Sequence, residues 1–220
     1  MHRREFIAVA AGAAAGSALG CGFRRSAVSS SGAHPMAAAD FHASRQFART
    51  EFGRIAYVER GTGPAALFMH ALPLNGFQWR GALERLSPYR RCIAADSMGL
   101  GYSEIRQGQS LAPDAQASMF AAFLDVLAIP AVDLVASDSG GVIAQVFVAH
   151  YPQRVRSLLL TNCDVHDDSP PPALRPLIAA SRAGTFVDEV LVPQLRDKSS
   201  ARVATGLGKC CYTDPARLTD

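Results

Sequence analysis

The chain of 220 residues has one tryptophan, five cysteines and six histidines, and each scarcity removes a class of explanation. The cysteines, Cys21, Cys92, Cys163, Cys210 and Cys211, show no Cys-x-x-Cys spacing and are odd in number. Neither a zinc site nor a disulfide framework is therefore indicated, and no other metal site is suggested. Adjacent Cys210 and Cys211 do not readily bridge each other, while Cys92 and Cys163 fall in predicted strands and read as buried free thiols. Charge is modest too, with 19% of residues charged and a net charge of +3. Much of that excess comes from Arg3, Arg4, Arg24 and Arg25, and no basic stripe interleaved with aromatics follows, which argues against nucleic acid as a partner. What is present is an ordinary globular composition, 49% hydrophobic, enough for one main domain with a sizeable core and no internal repeat.

The first residues, Met1-His2-Arg3-Arg4-Glu5-Phe6-Ile7, form a basic segment, followed to Gly20 by a weakly apolar run of Ala, Val and Gly too short to span a bilayer. This resembles a twin-arginine export signal over residues 1–21, which implies contact with export machinery and a periplasmic or extracellular location. The bland alternative is a disordered Ala-rich tail. Cys21 follows Ala-Leu-Gly, a poor version of a lipoprotein box, so lipid anchoring at a membrane is the weaker reading. Residues 22–44, rich in Ser, Ala and Gly without an apolar period, read as a linker, and the folded domain is expected to begin near Arg45.

From there, 45–50 and 54–59 read as a hairpin about Phe52-Gly53. The spacing then predicts apolar strands over 65–72, 91–96, 132–136 and 155–162, alternating with helices over 77–86, 112–127 and 140–151. Continuous apolar strands separated by helices build a mostly parallel sheet covered on both faces. After Val165 the run Asp167-Asp168-Ser169-Pro170-Pro171-Pro172 breaks the pattern, and residues 165–220 read as short helices, the start of a separate cap.

The stretch Val135-Ala136-Ser137-Asp138-Ser139-Gly140-Gly141 is strand, tight turn and helix, where a side chain at the tip projects from the carboxyl end of the sheet. The small residues around the tip permit two registers, with Asp138 or with Ser139 as the nucleophile. Asp138 has Ala136 before it and Gly140 and Gly141 after it; Ser139 has Ser137 and Gly141. Here residues 45–164 resemble the α/β-hydrolase family. The family's order of Gly-His-nucleophile-x-Gly-Gly, helix, Pro-x-x-Val and apolar strand aligns without a gap onto 136–141, Pro152 to Val155 and Leu158-Leu159-Leu160 when Asp138 is the tip. The register therefore favours Asp138, with a Ser139 esterase kept as the alternative.

Two upstream segments carry the same resemblance. His70-Ala71-Leu72-Pro73 is similar to the family's His-Gly-x-Pro, which implies an oxyanion hole from the N–H groups of Leu72 and Ser139, with His70 in a structural role. Asp96-Ser97-Met98-Gly99-Leu100-Gly101-Tyr102-Ser103 matches the family's Asp-x-x-Gly-x-Gly-x-Ser turn. A dinucleotide-binding reading of Gly99 and Gly101 fails because Glu104 stands where a third glycine belongs.

A carboxylate nucleophile implies the aspartate branch of the family, haloalkane dehalogenases and epoxide hydrolases, which attack sp³ carbon and hydrolyse the resulting alkyl ester without a cofactor. In that branch a Trp commonly follows the nucleophile, and dehalogenases use its indole N–H to hold the halide. Ser139 stands there in this chain, and the single Trp79 falls in the first helix as a packing residue. The implied activity is thus the broader one, hydrolysis of a carbon–halogen, epoxide or related bond in a small organic substrate. The base is a His that follows the cap in the family. No His lies beyond His166 here, His150 reads as a solvated helix residue, and His166 would be an unusual base. For the acid, Asp164 after the strand 155–162 is a candidate, or else a cap of the turn. These gaps lead to the expectation that the closing strands and the catalytic His are missing, which leaves a non-catalytic binding member of the fold as a further alternative. An apolar edge strand and poor solubility are expected in consequence.

Overall fold

The structure is a computed structural model and describes residues 36–165, 170 and 172–203. The readings on the export signal, Cys21, His166, Asp167, Asp168, Cys210 and Cys211 lie outside the described residues.

Helix α1 (Ala38–Ala43) comes first, then strands β1 (Gln46–Thr50) and β2 (Gly53–Arg60), which form the expected hairpin with Thr50 opposite Gly53. Strand β3 (Ala65–Met69), a 3₁₀ turn (Gly76–Trp79), helix α2 (Arg80–Leu86), strand β4 (Arg91–Ala95) and helix α3 (Pro113–Val126) follow. Strand β5 (Val132–Ser137), helix α4 (Ser139–His150) and strand β6 (Val155–Thr161) complete the core. The six strands form one sheet in the order β1-β2-β4-β3-β5-β6, antiparallel through β1, β2 and β4 and parallel from β4 to β6.

Strand periodicity explains the two buried layers. On β3, Leu67 and Met69 point to one face and Ala66 and Phe68 to the other, and all are buried, so the strand reads as an unbroken apolar run. The first face is covered by α3 and α4. Ala117, Phe120, Ala121 and Leu124 recur at helical spacing on α3, and Ala144 and Phe147 on α4 join them. The opposite face is covered by α2, through Leu83, and by α1.

That last contact corrects the linker reading. Residues 36–43 lack an apolar period, yet Met36 and Phe41 are buried, and the Phe41 ring meets Phe77 edge-on at 5.3 Å. The Met36 N–H donates to Glu84 Oε2 at 3.0 Å. Two anchoring side chains and tertiary contacts, rather than amphipathic spacing, hold this segment. Cys163 also differs from expectation: it falls just past β6 and is half-buried, whereas Cys92 is buried within β4 as a free thiol. The Trp79 ring packs on Phe68 at 5.4 Å, as a packing residue should.

Beyond the core, helix α5 (Arg175–Ala183), a π turn (Phe186–Leu191) and short helices α6 (Val192–Arg196) and α7 (Lys198–Arg202) form the cap-like segment.

Among the described residues, β6 ends the sheet, and its Leu158 and Leu159 are 39% and 56% exposed. An open, apolar edge strand is a template for intermolecular pairing. The chain is predicted to self-associate through this edge, and the pair Leu158→Lys and Leu159→Lys to restore a monomer. Sedimentation that finds the unmodified chain monomeric at micromolar concentration contradicts this.

Candidate active site

The site grows from the end of β5. Asp138 leaves the strand with φ 55° and ψ −126°, a conformation rare for a residue with a side chain, and the next residue begins α4. Asp138 is therefore the tip of the turn, while Ser139 is already helical. Its N–H donates to the carbonyls of Thr161 and Asn162 at 3.3 and 3.1 Å, tying the tip to the end of β6.

The strain persists because the surroundings leave α4 no other path. A Cβ on Gly140 would stand 2.6 Å from the Met69 carbonyl oxygen and 2.7 Å from that of His70, so only glycine lets the helix start directly against β3. A Cβ on Gly141 would overlap the Cys163 side chain. Both glycines thus serve close approach, and their chemistry is purely steric.

Two backbone donors converge on one carboxylate oxygen. Asp138 Oδ1 accepts from Ser139 N–H at 2.6 Å and from Leu72 N–H at 3.2 Å, the two donors for which the family resemblance implies an oxyanion hole. Leu72 is positioned by its neighbours. The Ala71 N–H donates to Gln78 Oε1 at 2.7 Å, and His70 Nδ1 donates to the Ala71 carbonyl at 2.9 Å. Ala71 does not take a positive φ, so alanine fits where the family has glycine.

His70 is buried, and its other nitrogen, Nε2, accepts the Ser97 N–H at 2.9 Å. Both partners are backbone groups with fixed roles, so the ring is the neutral Nδ1–H tautomer. Burial pushes its pKa below the ordinary 6.5, against the opposing pull of the Ala71 carbonyl and of Asp96. Asp96 organises the neighbouring turn, where its Oδ1 accepts from Gly76 N–H at 2.8 Å and its Oδ2 from Tyr102 N–H at 2.9 Å. His70 and the 96–103 turn are thus structural supports of the loop that presents Leu72.

Asp138, Ser139, Leu72 and Asp164 all line one cavity of about 350 Å³, whose remaining wall includes Leu177, Ile178, Phe186 and Val190 from the cap segment. The Asp164 carbonyl accepts from Gln145 Nε2 at 2.9 Å, which ties the residue to α4. Cys163 lies between the two carboxylates electrostatically: burial, then Asp164 and Asp138, raise its pKa, so it stays a neutral thiol rather than a rival nucleophile. His150 is remote from this cavity on an exposed helix end, 3.9 Å from Asp114. The cap-segment residues were not legible as a site in the sequence, although the spacing of Leu174, Leu177, Ile178 and Ser181 on one side of α5 was available as a signal.

Set beside known proteins, this geometry has a family. The alpha/beta hydrolase fold family matches over residues 64–207, more than half of the chain, and the chain belongs to it. It is 34% identical over 110 residues to haloalkane dehalogenase 2 of Mycobacterium tuberculosis, a match covering 50% of this chain and 38% of that enzyme. It is 40% identical over 111 residues to the haloalkane dehalogenase of Mesorhizobium japonicum, covering 47% of this chain and 34% of the relative. The matched stretch thus spans little more than a third of either relative. Among solved structures, a thermophilic esterase from Thermogutta terrifontis superposes with a TM-score of 0.55 at 27% identity, over 68% of this chain and 58% of its own. An epoxide hydrolase from Bacillus megaterium gives 0.60 at 20% identity, over 69% and 57%.

Two outcomes follow. Gly140→Ala is predicted to cost about 1–3 kcal/mol in stability through overpacking against the β3 carbonyls, read as a lower denaturant midpoint. For His70, a folded pKa below the unfolded value means stability is full above about pH 6.5 and falls as pH drops through the lowered pKa. The loss between pH 7.5 and 5.5 should therefore be larger in the unmodified chain than in His70→Asn; equal losses would remove His70 from the account.

Proposed function

We propose that this chain carries the nucleophile half of an α/β-hydrolase that acts on a small, mainly apolar organic molecule through Asp138. The observation that carries the reading is the unequal treatment of the two Asp138 oxygens. Oδ1 is held by two N–H donors, which leaves Oδ2 as the oxygen free to attack.

In the first step Oδ2 forms a bond to an sp³ carbon and the carbon–halogen or carbon–oxygen bond on the far side breaks, its electron pair leaving with the halide or the opened epoxide oxygen. The product is an alkyl ester on Asp138. In the second step a base takes a proton from water, the water oxygen bonds to Cγ and the negative charge collects on Oδ1; collapse of this intermediate breaks the Cγ–Oδ2 bond, and the alcohol leaves with that oxygen and the proton, restoring the carboxylate. Oδ1 already faces Leu72 and Ser139 N–H, so no reorganisation is needed as charge builds. One such donor is worth on the order of 100–1000-fold in rate. Asp164, lining the same cavity, is the carboxylate proposed to orient the base that activates this water.

Similarity to haloalkane dehalogenases supports the choice of sp³ carbon over an acyl carbon. The halide-holding Trp is replaced by Ser139, so the reading stays with carbon–halogen, epoxide or related bonds as one class. A Ser139 nucleophile fits the geometry less well, because Ser139 has helical backbone and its N–H is spent on Asp138. For export and location, the reading of residues 1–21 as a twin-arginine-like signal is kept as part of this proposal.

Intact-mass labelling separates the alternatives, since the first step needs no base. With 1-bromobutane or 1,2-epoxyhexane the unmodified chain and Ser139→Ala should gain one alkyl group, and Asp138→Asn should slow labelling on the order of 1000-fold or more. Labelling by a fluorophosphonate that Ser139→Ala abolishes and Asp138→Asn spares would establish the serine esterase instead. No adduct with any of these reagents would point to a non-catalytic binding member of the fold.

A further inference from the structure

The two N–H groups on Asp138 Oδ1 are held in different ways. Ser139 is the first residue of α4, so the helix itself aims its N–H. Leu72 lies outside any helix or strand and is 53% exposed, so its N–H depends on other groups for its direction. The peptide unit between Ala71 and Leu72 is planar and trans, which points the Leu72 N–H away from the Ala71 carbonyl. That carbonyl is fixed by His70 Nδ1 and the Leu74 N–H, both at 2.9 Å. On the other side of Ala71, its N–H donates to Gln78 Oε1 at 2.7 Å. Gln78 therefore sets one flank of Ala71 and the carbonyl bonds set the other.

Gln78 stands on a fixed base. In the 3₁₀ turn it sits between Phe77, whose ring meets Phe41 of α1 at 5.3 Å, and Trp79, whose ring packs on Phe68 of β3 at 5.4 Å. Asn75 Oδ1 accepts the Phe77 N–H at 2.9 Å, the Asn75 carbonyl accepts the Gln78 N–H at 3.0 Å, and the Gly76 N–H is bonded to Asp96. Helix α1, strand β3 and the turn after β4 thus all hold the backbone that carries this side chain. Only its oxygen is used, because the partner is a donor.

We infer that Gln78 is a positioning residue for the ester-cleaving step: through Ala71 it keeps the Leu72 N–H on Asp138 Oδ1 while charge grows on that oxygen. The inference rests on the Asp138 reading, and its consequence is a split between the two steps. Attack by Oδ2 on carbon draws charge out of the carboxylate, so loosening a donor does not slow it. Attack on Cγ of the ester puts charge onto Oδ1, so loosening the same donor does. A general loosening of the cavity would slow both.

Hydroxylamine tests the second step without a histidine base. On the butyl ester formed with 1-bromobutane, its nitrogen bonds to Cγ and the charge collects on Oδ1. Collapse breaks the Cγ–Oδ2 bond, butan-1-ol leaves with that oxygen and a proton from the nitrogen, and Asp138 keeps a hydroxamic acid visible by intact mass. Gln78→Met should be alkylated within about threefold of the unmodified chain, at the same half-saturating 1-bromobutane, while its ester is cleaved about 10–100-fold more slowly. Gln78→Asn, whose oxygen falls one methylene short, should behave like Gln78→Met, and Gln78→Glu, which keeps the acceptor, should recover most of the rate. In denaturant all these esters should react alike. Amide exchange, located by fragmentation mass spectrometry, tests the placement apart from chemistry: Gln78→Met and Gln78→Asn should speed exchange at both Ala71 and Leu72, and Gln78→Glu at neither. Faster exchange confined to Ala71, equal ester cleavage with and without Gln78, or alkylation and cleavage slowed by the same factor overturns the inference and spares the Asp138 reading. No adduct on Asp138 in the unmodified chain defeats the Asp138 reading, and the role of Gln78 falls with it.

Discussion

The backbone at Asp138 is the constraint on which the rest of the site depends. A non-glycine residue at φ 55° and ψ −126° is strained by roughly 1–3 kcal/mol and survives only where its surroundings over-determine it. Three features do so. Strand β5 is paired on both sides, so the chain cannot bend earlier. Gly140 lets α4 begin against the carbonyls of β3, so it cannot bend later. The Asp138 N–H is anchored to the end of β6, and its Oδ1 gathers the N–H groups of Ser139 and Leu72. The strain aims one carboxylate oxygen at two donors at the wall of the cavity that Asp138 lines.

The support then runs outward through backbone bonds rather than charge pairs. Gln78 and His70 grip the two sides of Ala71, and His70 passes the connection on to Ser97 and the turn organised by Asp96. The bonds to Ala71 brace the loop after β3 from within, and those of His70 with Ser97 and of Gly76 with Asp96 join that loop to the one after β4. The carboxyl end of the parallel strands is where an open α/β sheet gathers its chemistry, because the loops converge there while the strands stay rigid below. The surface ion pairs, such as Arg54 with Glu104, are exposed, and pairs of that kind contribute little.

Much of this was legible before any coordinates. Apolar runs gave the parallel strands within a few residues, and Pro113 and Gly140 marked helix starts that the structure keeps near the expected places. The register at the elbow was legible because Gly140, Gly141, Pro152 and Val155 keep fixed offsets from the tip, and those offsets reflect steric needs seen in the fold. Other features left no local trace. Helix α1 escaped notice because its hold on the core rests on Met36 and Phe41, two residues without a period. Gln78 and Ser97 act through bonds that only tertiary contact creates, and nothing in their neighbours' identity announces them. The cap-segment wall of the cavity showed only in the spacing of Leu174, Leu177, Ile178 and Ser181, and its residues become a site only when folded over Asp138.

The most direct measurement of the central claim is a crystal structure of the chain after alkylation by a small halide or epoxide. The alkyl group should sit on Asp138 Oδ2, with the ester carbonyl oxygen, the former Oδ1, within hydrogen-bond distance of Leu72 and Ser139 N–H. An adduct on Ser139 Oγ, or an ester whose alkyl oxygen faces those two donors, would contradict the division of labour between the two carboxylate oxygens.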